Sequence, residues 1–120
     1  MHGGTEWLVD ATGCSPERLR DPAALARLCD GVVAALNLTV IGAPAIHRFG
    51  GPGGVTALYL LAESHLACHT FPETGVATFN LYVCRARPPL DWRPLLVEAL
   101  GATAVTVTTV ARGGADGGPP

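Results

Sequence analysis

The chain has 120 residues, 48% of them hydrophobic, with a formal charge of -2 and a pI near 6.0. This length suits one domain with a single core, and the charge balance gives no basic footprint for nucleic acid or anionic lipid. No apolar run approaches the roughly 20 residues of a membrane helix, and "MHGGTEW" lacks the regions of a signal peptide, so a cytoplasmic address is expected.

"TEWLVDA", Thr5 to Ala11, reads as a first strand. "DPAALARLCDGVVAALN" opens with Asp21 as a helix cap and Pro22 at the first helical position. Leu25, Leu28, Val32, Val33 and Leu36 recur at steps of three and four, which gives this helix one apolar face. "LTVIGAPAIHRF" reads as a strand interrupted near Gly42 and Pro44, with a bulge or edge position expected there. "GGPGG" at 50–54 predicts a turn, and the apolar run "VTALYLLA" predicts a central strand buried on both faces.

Beyond it, "PETG" turns the chain into "VATFNLYVC", where Ala77, Phe79, Leu81 and Val83 share one side and Cys84 begins the opposite set. "DWRPLLVEALG" predicts a second helix from Asp91 to a stop at Gly101. "TAVTVTTVA" is a half-exposed last strand, and residues 113–120, which lack apolar side chains apart from one alanine, read as a disordered tail. The expected fold class is α+β, a mainly antiparallel β-sheet with two helices packed on one face, within a single domain at 1–112. One sheet face is then left for catalysis or for a partner.

Four cysteines, Cys14, Cys29, Cys68 and Cys84, form no CxxC pair, and the first three read as buried apolar fillers. All eight basic residues are Arg. An enzyme that does imine chemistry normally uses a lysine, as nucleophile or to hold pyridoxal phosphate. Without lysine, this chain needs a carbonyl from another source.

The chemistry concentrates in "AESHLACHTF", Ala62 to Phe71. A hydrolase serine at Ser64 needs a base and a GxSxG-type turn, which is absent, and adjacent strand residues point to opposite faces. A metal held by His65 and His69 on an extended segment requires ligands about 13 Å apart to meet, so no metal is expected. A third route uses the backbone. If a turn strains the Glu63–Ser64 peptide, the Ser64 hydroxyl can attack the Glu63 carbonyl and turn the amide into an ester. Loss of the Ser64 α-proton then eliminates the acyl chain, and the dehydroalanine left behind hydrolyses to a pyruvoyl group. That supplies a ketone to a chain with no lysine.

The stretch "GVTALYLLAESHLACHTFPETGVATFNLYVC", with "WLVDATGC" and "IHRF" upstream and "RG" at 112–113, resembles the prokaryotic S-adenosylmethionine decarboxylases, a pyruvoyl-dependent family. The resemblance spans nearly the whole chain. It implies self-cleavage between Glu63 and Ser64 into fragments 1–63 and 64–120, with the pyruvoyl group made from Ser64 and no pyridoxal phosphate. It implies His69 as the α-proton base in processing, Thr56 where the family commonly has a serine, and Cys84 as the acid that protonates the substrate carbon. Phe49, Leu66, Phe71 and Glu73 are the implied substrate contacts, the aromatics over adenine and the sulfonium, Glu73 on the ribose hydroxyls.

The implied assembly is a homodimer of cleaved protomers, and the implied product is the aminopropyl donor of spermidine synthesis. His47 and His65 are read as structural. The chain departs from the family pattern at Cys68, Phe71, Asn80 and Arg85. The rival readings are an ornithine or arginine decarboxylase on the same scaffold, and a non-cleaving regulatory homologue.

Overall fold

The computed structural model describes residues 3–113; the predicted tail beyond Gly113 lies outside the described residues. Six strands form one sheet: β1 (Gly4–Thr12), β2 (Ala45–Arg48), β3 (Val55–Leu61), β4 (Ser64–Phe71), β5 (Val76–Val83) and β6 (Ala104–Arg112). Their order is β2-β3-β4-β5-β1-β6 and every pairing is antiparallel. Three helices, α1 (Pro16–Leu19), α2 (Pro22–Ala35) and α3 (Trp92–Leu100), lie on one face, so the expected α+β sandwich is found with one helix more than predicted.

Local chemistry explains the helix ends. Asp21 accepts from the Ala23 N–H at the start of α2, behind a Pro at the first helical position. In α1 the Ser15 hydroxyl accepts from the Arg18 N–H; with four residues, α1 is too short for a periodic signal. Asp91 precedes α3 without making a side-chain cap, and Gly101 at φ 70° ends it in the left-handed conformation that a glycine takes freely.

The core lies between the sheet and the helices. Leu25, Leu28, Cys29 and Val32 of α2 and Trp92, Leu96 and Leu100 of α3 press on Ala57, Tyr59, Leu66, Cys68, Phe79 and Leu81. Burying each of the large aliphatic side chains contributes about 1.5–3 kcal/mol. Cys14, Cys29 and Cys68 are buried here, as expected of fillers. The Tyr59 hydroxyl reaches through this layer to donate to Asp30 Oδ1 at 2.9 Å, and burial raises its pKa.

One expectation is corrected. β3 is not buried on both faces: it alternates, with Leu58 48% and Leu60 60% exposed, because helices cover only one side of the sheet. The segment 38–49 is interrupted as expected near Gly42, at φ 73°, and Pro44. Beyond the break Ala45–Arg48 joins the sheet as its edge strand, and before it Val40 makes a single bridge to Leu61.

The uncovered face is organised in rows across the strands, because directly paired residues share a side. One row reads His47, Thr56, His69, Thr78, Asp10 and Thr106; the next holds Leu58, Ala67, Asn80 and Leu8; the third holds Leu60, His65, Tyr82 and Glu6. His47 and His65 therefore stand on the exposed face and not in the core.

Candidate active site

β3 and β4 are joined by the two-residue turn Ala62–Glu63, with Leu61 paired to Ser64. Loops this short normally place their own residues at positive φ to match the strand twist. Neither Ala62 nor Glu63 does so; the unusual dihedral falls on Ser64, at φ 142°. A non-glycine residue in this sparsely populated region carries about 1–3 kcal/mol of strain. The strain sits on the serine whose amide the third route requires, since the Glu63–Ser64 peptide closes the turn.

Glu63 is held firmly. Its side chain is 7% exposed, and the carboxylate accepts from the Thr39 N–H at 3.1 Å and from Arg87 Nη2 at 3.3 Å. Its carbonyl oxygen accepts from the Cys84 N–H at 2.8 Å. Cys84 follows the end of β5, whose last residue, Val83, pairs with Ser64. The Glu63 carbonyl, Ser64 and the Cys84 backbone are thus drawn together at the end of the β4–β5 ladder.

His69 lies further along β4, paired across to Thr56, with Nδ1 and Thr56 Oγ1 2.9 Å apart. When Nδ1 carries the proton and donates it to Thr56, Nε2 keeps a free lone pair, the state a proton acceptor needs. His69 and Ser64 are five residues apart on one strand, a separation of about 16 Å. The two are not brought together within one chain.

Phe49 and Phe71 are 54% and 43% exposed, available to a ligand and not part of the core, and Glu73 is also exposed. Leu66 differs: it is 0% exposed and its side chain packs under the helices, so only its backbone borders the uncovered face. Around the third row a polar chain runs from His65 Nε2, donating to Asn80 Oδ1 at 3.0 Å, through Asn80 Nδ2 to Glu6, which also takes a bond from Arg112. The Asn80 amide, with the Arg112 guanidinium, lowers the Glu6 pKa against a partial burial that raises it. Among the described residues no group of three or more His, Cys, Asp or Glu is placed to hold a metal ion.

Sequence reasoning missed Thr39, Arg87 and the backbone N–H of Cys84. Thr39 and Cys84 act through main-chain atoms, which carry no residue signature. Arg87, in "CRARPP", reads as a solvated loop charge until its buried partner 24 residues away is known.

Comparisons with known proteins place the chain as a whole. The family model described as S-adenosylmethionine decarboxylase matches residues 5–113. An S-adenosylmethionine decarboxylase proenzyme of Pyrobaculum islandicum is 39% identical over 72 residues, 60% of this chain and 57% of that protein. S-adenosylmethionine decarboxylase proenzyme 2 of Halalkalibacterium halodurans is 33% identical over 112 residues, 92% of this chain and 86% of the relative. The crystal structure of the adenosylmethionine decarboxylase from Aquifex aeolicus superposes with a TM-score of 0.78 at 30% identity, covering 93% of this chain and 92% of the other. The ornithine and arginine readings find no support in these matches. The matched segment spans little more than half the length of the Pyrobaculum relative and most of the length of the other two.

Proposed function

Because the chain belongs to the S-adenosylmethionine decarboxylase family, we propose that it is a self-processing, pyruvoyl-dependent decarboxylase of S-adenosylmethionine. Its product is the aminopropyl donor of spermidine synthesis, and its place of action is the cytoplasm. One observation carries the reading: the Glu63–Ser64 peptide closes a two-residue turn with Ser64 at φ 142° and the Glu63 carbonyl hydrogen-bonded to the Cys84 N–H. A strained serine next to a polarised carbonyl is what an N-to-O acyl shift needs, and a pyruvoyl group formed from Ser64 fits the same position.

That group supplies a ketone for the substrate amine and an electron sink for the carbon that loses CO₂. The chain's own residues do the rest. The Cys84 N–H stabilises the charge that gathers on the Glu63 oxygen during the shift. His69, oriented by Thr56, takes the Ser64 α-proton, and the Cys84 thiol protonates the substrate carbon after decarboxylation. Phe49 and Phe71 offer ring faces to adenine and the sulfonium, and Glu73 offers its carboxylate to the ribose.

The separation of about 16 Å along β4 means that His69 must reach Ser64 from a second copy. The uncovered sheet face suits that pairing. It exposes Leu8, Leu58 and Leu60 between its polar rows, apolar side chains that a solvated sheet face does not ordinarily present. The site of one protomer would then be completed by the His69–Thr56 pair of its partner.

Intact mass of the purified protein tests the function. Two fragments divided before Ser64, the larger-numbered one carrying a borohydride-reducible keto terminus, are expected. A single full-length mass in folded, long-incubated material would overturn self-processing and favour a non-cleaving homologue.

A further inference from the structure

We infer that Arg87 is a positioning residue for self-cleavage, acting through the side chain of Glu63; this rests on the self-processing function proposed above. A carboxylate that is 7% exposed needs partners, and Glu63 has two, drawn from separate parts of the chain. Thr39 N–H approaches from the segment after α2, and Arg87 Nη2 from the segment between β5 and α3. Together with the Cys84 N–H on the carbonyl, they fix Glu63 at three points, two on its side chain and one on its backbone.

Ser64 has no equivalent freedom to choose its approach. Its φ of 142° places the Glu63 carbonyl carbon relative to the serine side chain, and anchoring Glu63 on the other side of the peptide holds that dihedral in place. An attack across one peptide unit is sensitive to such placement. The guanidinium is itself well fixed: it is 19% exposed, Nη1 donates to the Ala86 carbonyl at 3.0 Å, and its buried Nε–H has no partner among the described residues. Cleavage leaves a new α-carboxylate on the very residue that Arg87 already holds, and the guanidinium retains a buried donor at that stage.

The test follows cleavage of freshly synthesised full-length chain with time, by mass and by gel, for the native sequence, Arg87→Met, Arg87→Lys, Glu63→Gln and the double variant Glu63→Gln/Arg87→Met. Melting temperatures of the uncleaved forms are measured alongside. The clamp predicts that Arg87→Met cleaves about 10- to 100-fold more slowly while remaining folded. It predicts partial recovery in Arg87→Lys, and a double variant no slower than the slower single one, because the two residues work through one contact. Cleavage of folded Arg87→Met at the native rate overturns the inference. So do losses that multiply in the double variant, which make Arg87 independent of Glu63. If Arg87→Met does not fold, the Lys and Gln variants decide: native rates in both overturn it. A native chain that never cleaves is a different result, and it removes the proposed function instead.

Discussion

The backbone N–H of Cys84 donates to the carbonyl oxygen of Glu63 at 2.8 Å, and this bond joins the end of β5 to the turn that opens β4. It brings three things together at the end of the β4–β5 ladder: a hydrogen-bonded carbonyl, a strained serine and the backbone of Cys84. Ser64→Ala removes the hydroxyl and leaves the hydrogen bond intact. The variant is expected to fold with an unchanged melting temperature and to remain a single chain of full mass. Ser64→Thr is expected to cleave slowly, since its added methyl crowds a dihedral already at φ 142°.

In the proposed function Cys84 has a different part in each of the two reactions. Its N–H, which every residue but proline provides, serves the carbonyl, and its thiol serves the proposed protonation. Cys84→Ala is therefore expected to retain cleavage while kcat for decarboxylation falls by about 10²–10⁴, the usual worth of a positioned general acid. The check is CO₂ release from S-adenosylmethionine alongside intact mass. An unimpaired rate removes the thiol from the mechanism.

Much of this arrangement was legible in the sequence. Ala77, Phe79, Leu81 and Val83 alternate as expected of β5, and all four are buried. "AESHLACHTF" marked the turn and strand that carry Ser64 and His69. What failed had a common cause. "VTALYLL" is apolar at every position but one, so alternation is invisible in it, and whether Leu58 and Leu60 face helices or open space depends on where the helices end up. That His65 and His47 stand on the open face is hidden for the same reason: a strand's period is readable in its residues, but not which face the helices cover. Arg87 could not be read because its role depends on a partner brought near by folding.

Thr70 is one of only two buried polar or charged residues among the described ones, and it ties two segments together. Its hydroxyl donates to the Leu19 carbonyl at 2.7 Å and accepts from the Val55 N–H at 2.8 Å. Thr70→Val keeps the shape and strands both main-chain groups, so a loss of about 1–3 kcal/mol is expected by urea titration. Thr70→Ser keeps the hydroxyl and is expected to recover most of it.

The Glu6 network gives an acid-side prediction. Its pKa is lowered from the ordinary 4.5, first by the Asn80 amide. A depressed carboxylate contributes stability that is fully present above its unfolded value and lost as pH falls through the lower native one. Glu6→Gln should therefore melt below the native protein at neutral pH, and the gap should close as the pH drops below about 4.5. A gap of constant size across that range shows that Glu6 acts through packing and not through charge. Because Arg112 is 54% exposed, added salt should shrink the gap as well.

The separation of Ser64 from His69 gives the sharpest test of assembly. If the two meet only across a pair of protomers, neither Ser64→Ala nor His69→Ala cleaves alone, yet a mixture of the two can. In the mixed pair one site joins the intact Ser64 of the His69→Ala chain to the intact His69 of the Ser64→Ala chain. The other site lacks both groups. Only the His69→Ala chain should be cut, and up to half of all chains in mixed pairs. Distinct tags on the two co-expressed chains identify which one yields fragments. Leu58→Asp placed in both chains puts a charge on the uncovered face, where Leu58 is 48% exposed in the single chain, and should abolish pairing and cleavage together. Cleavage of monomeric Leu58→Asp at the native rate would show that His69 reaches Ser64 within one chain, against the spacing along β4.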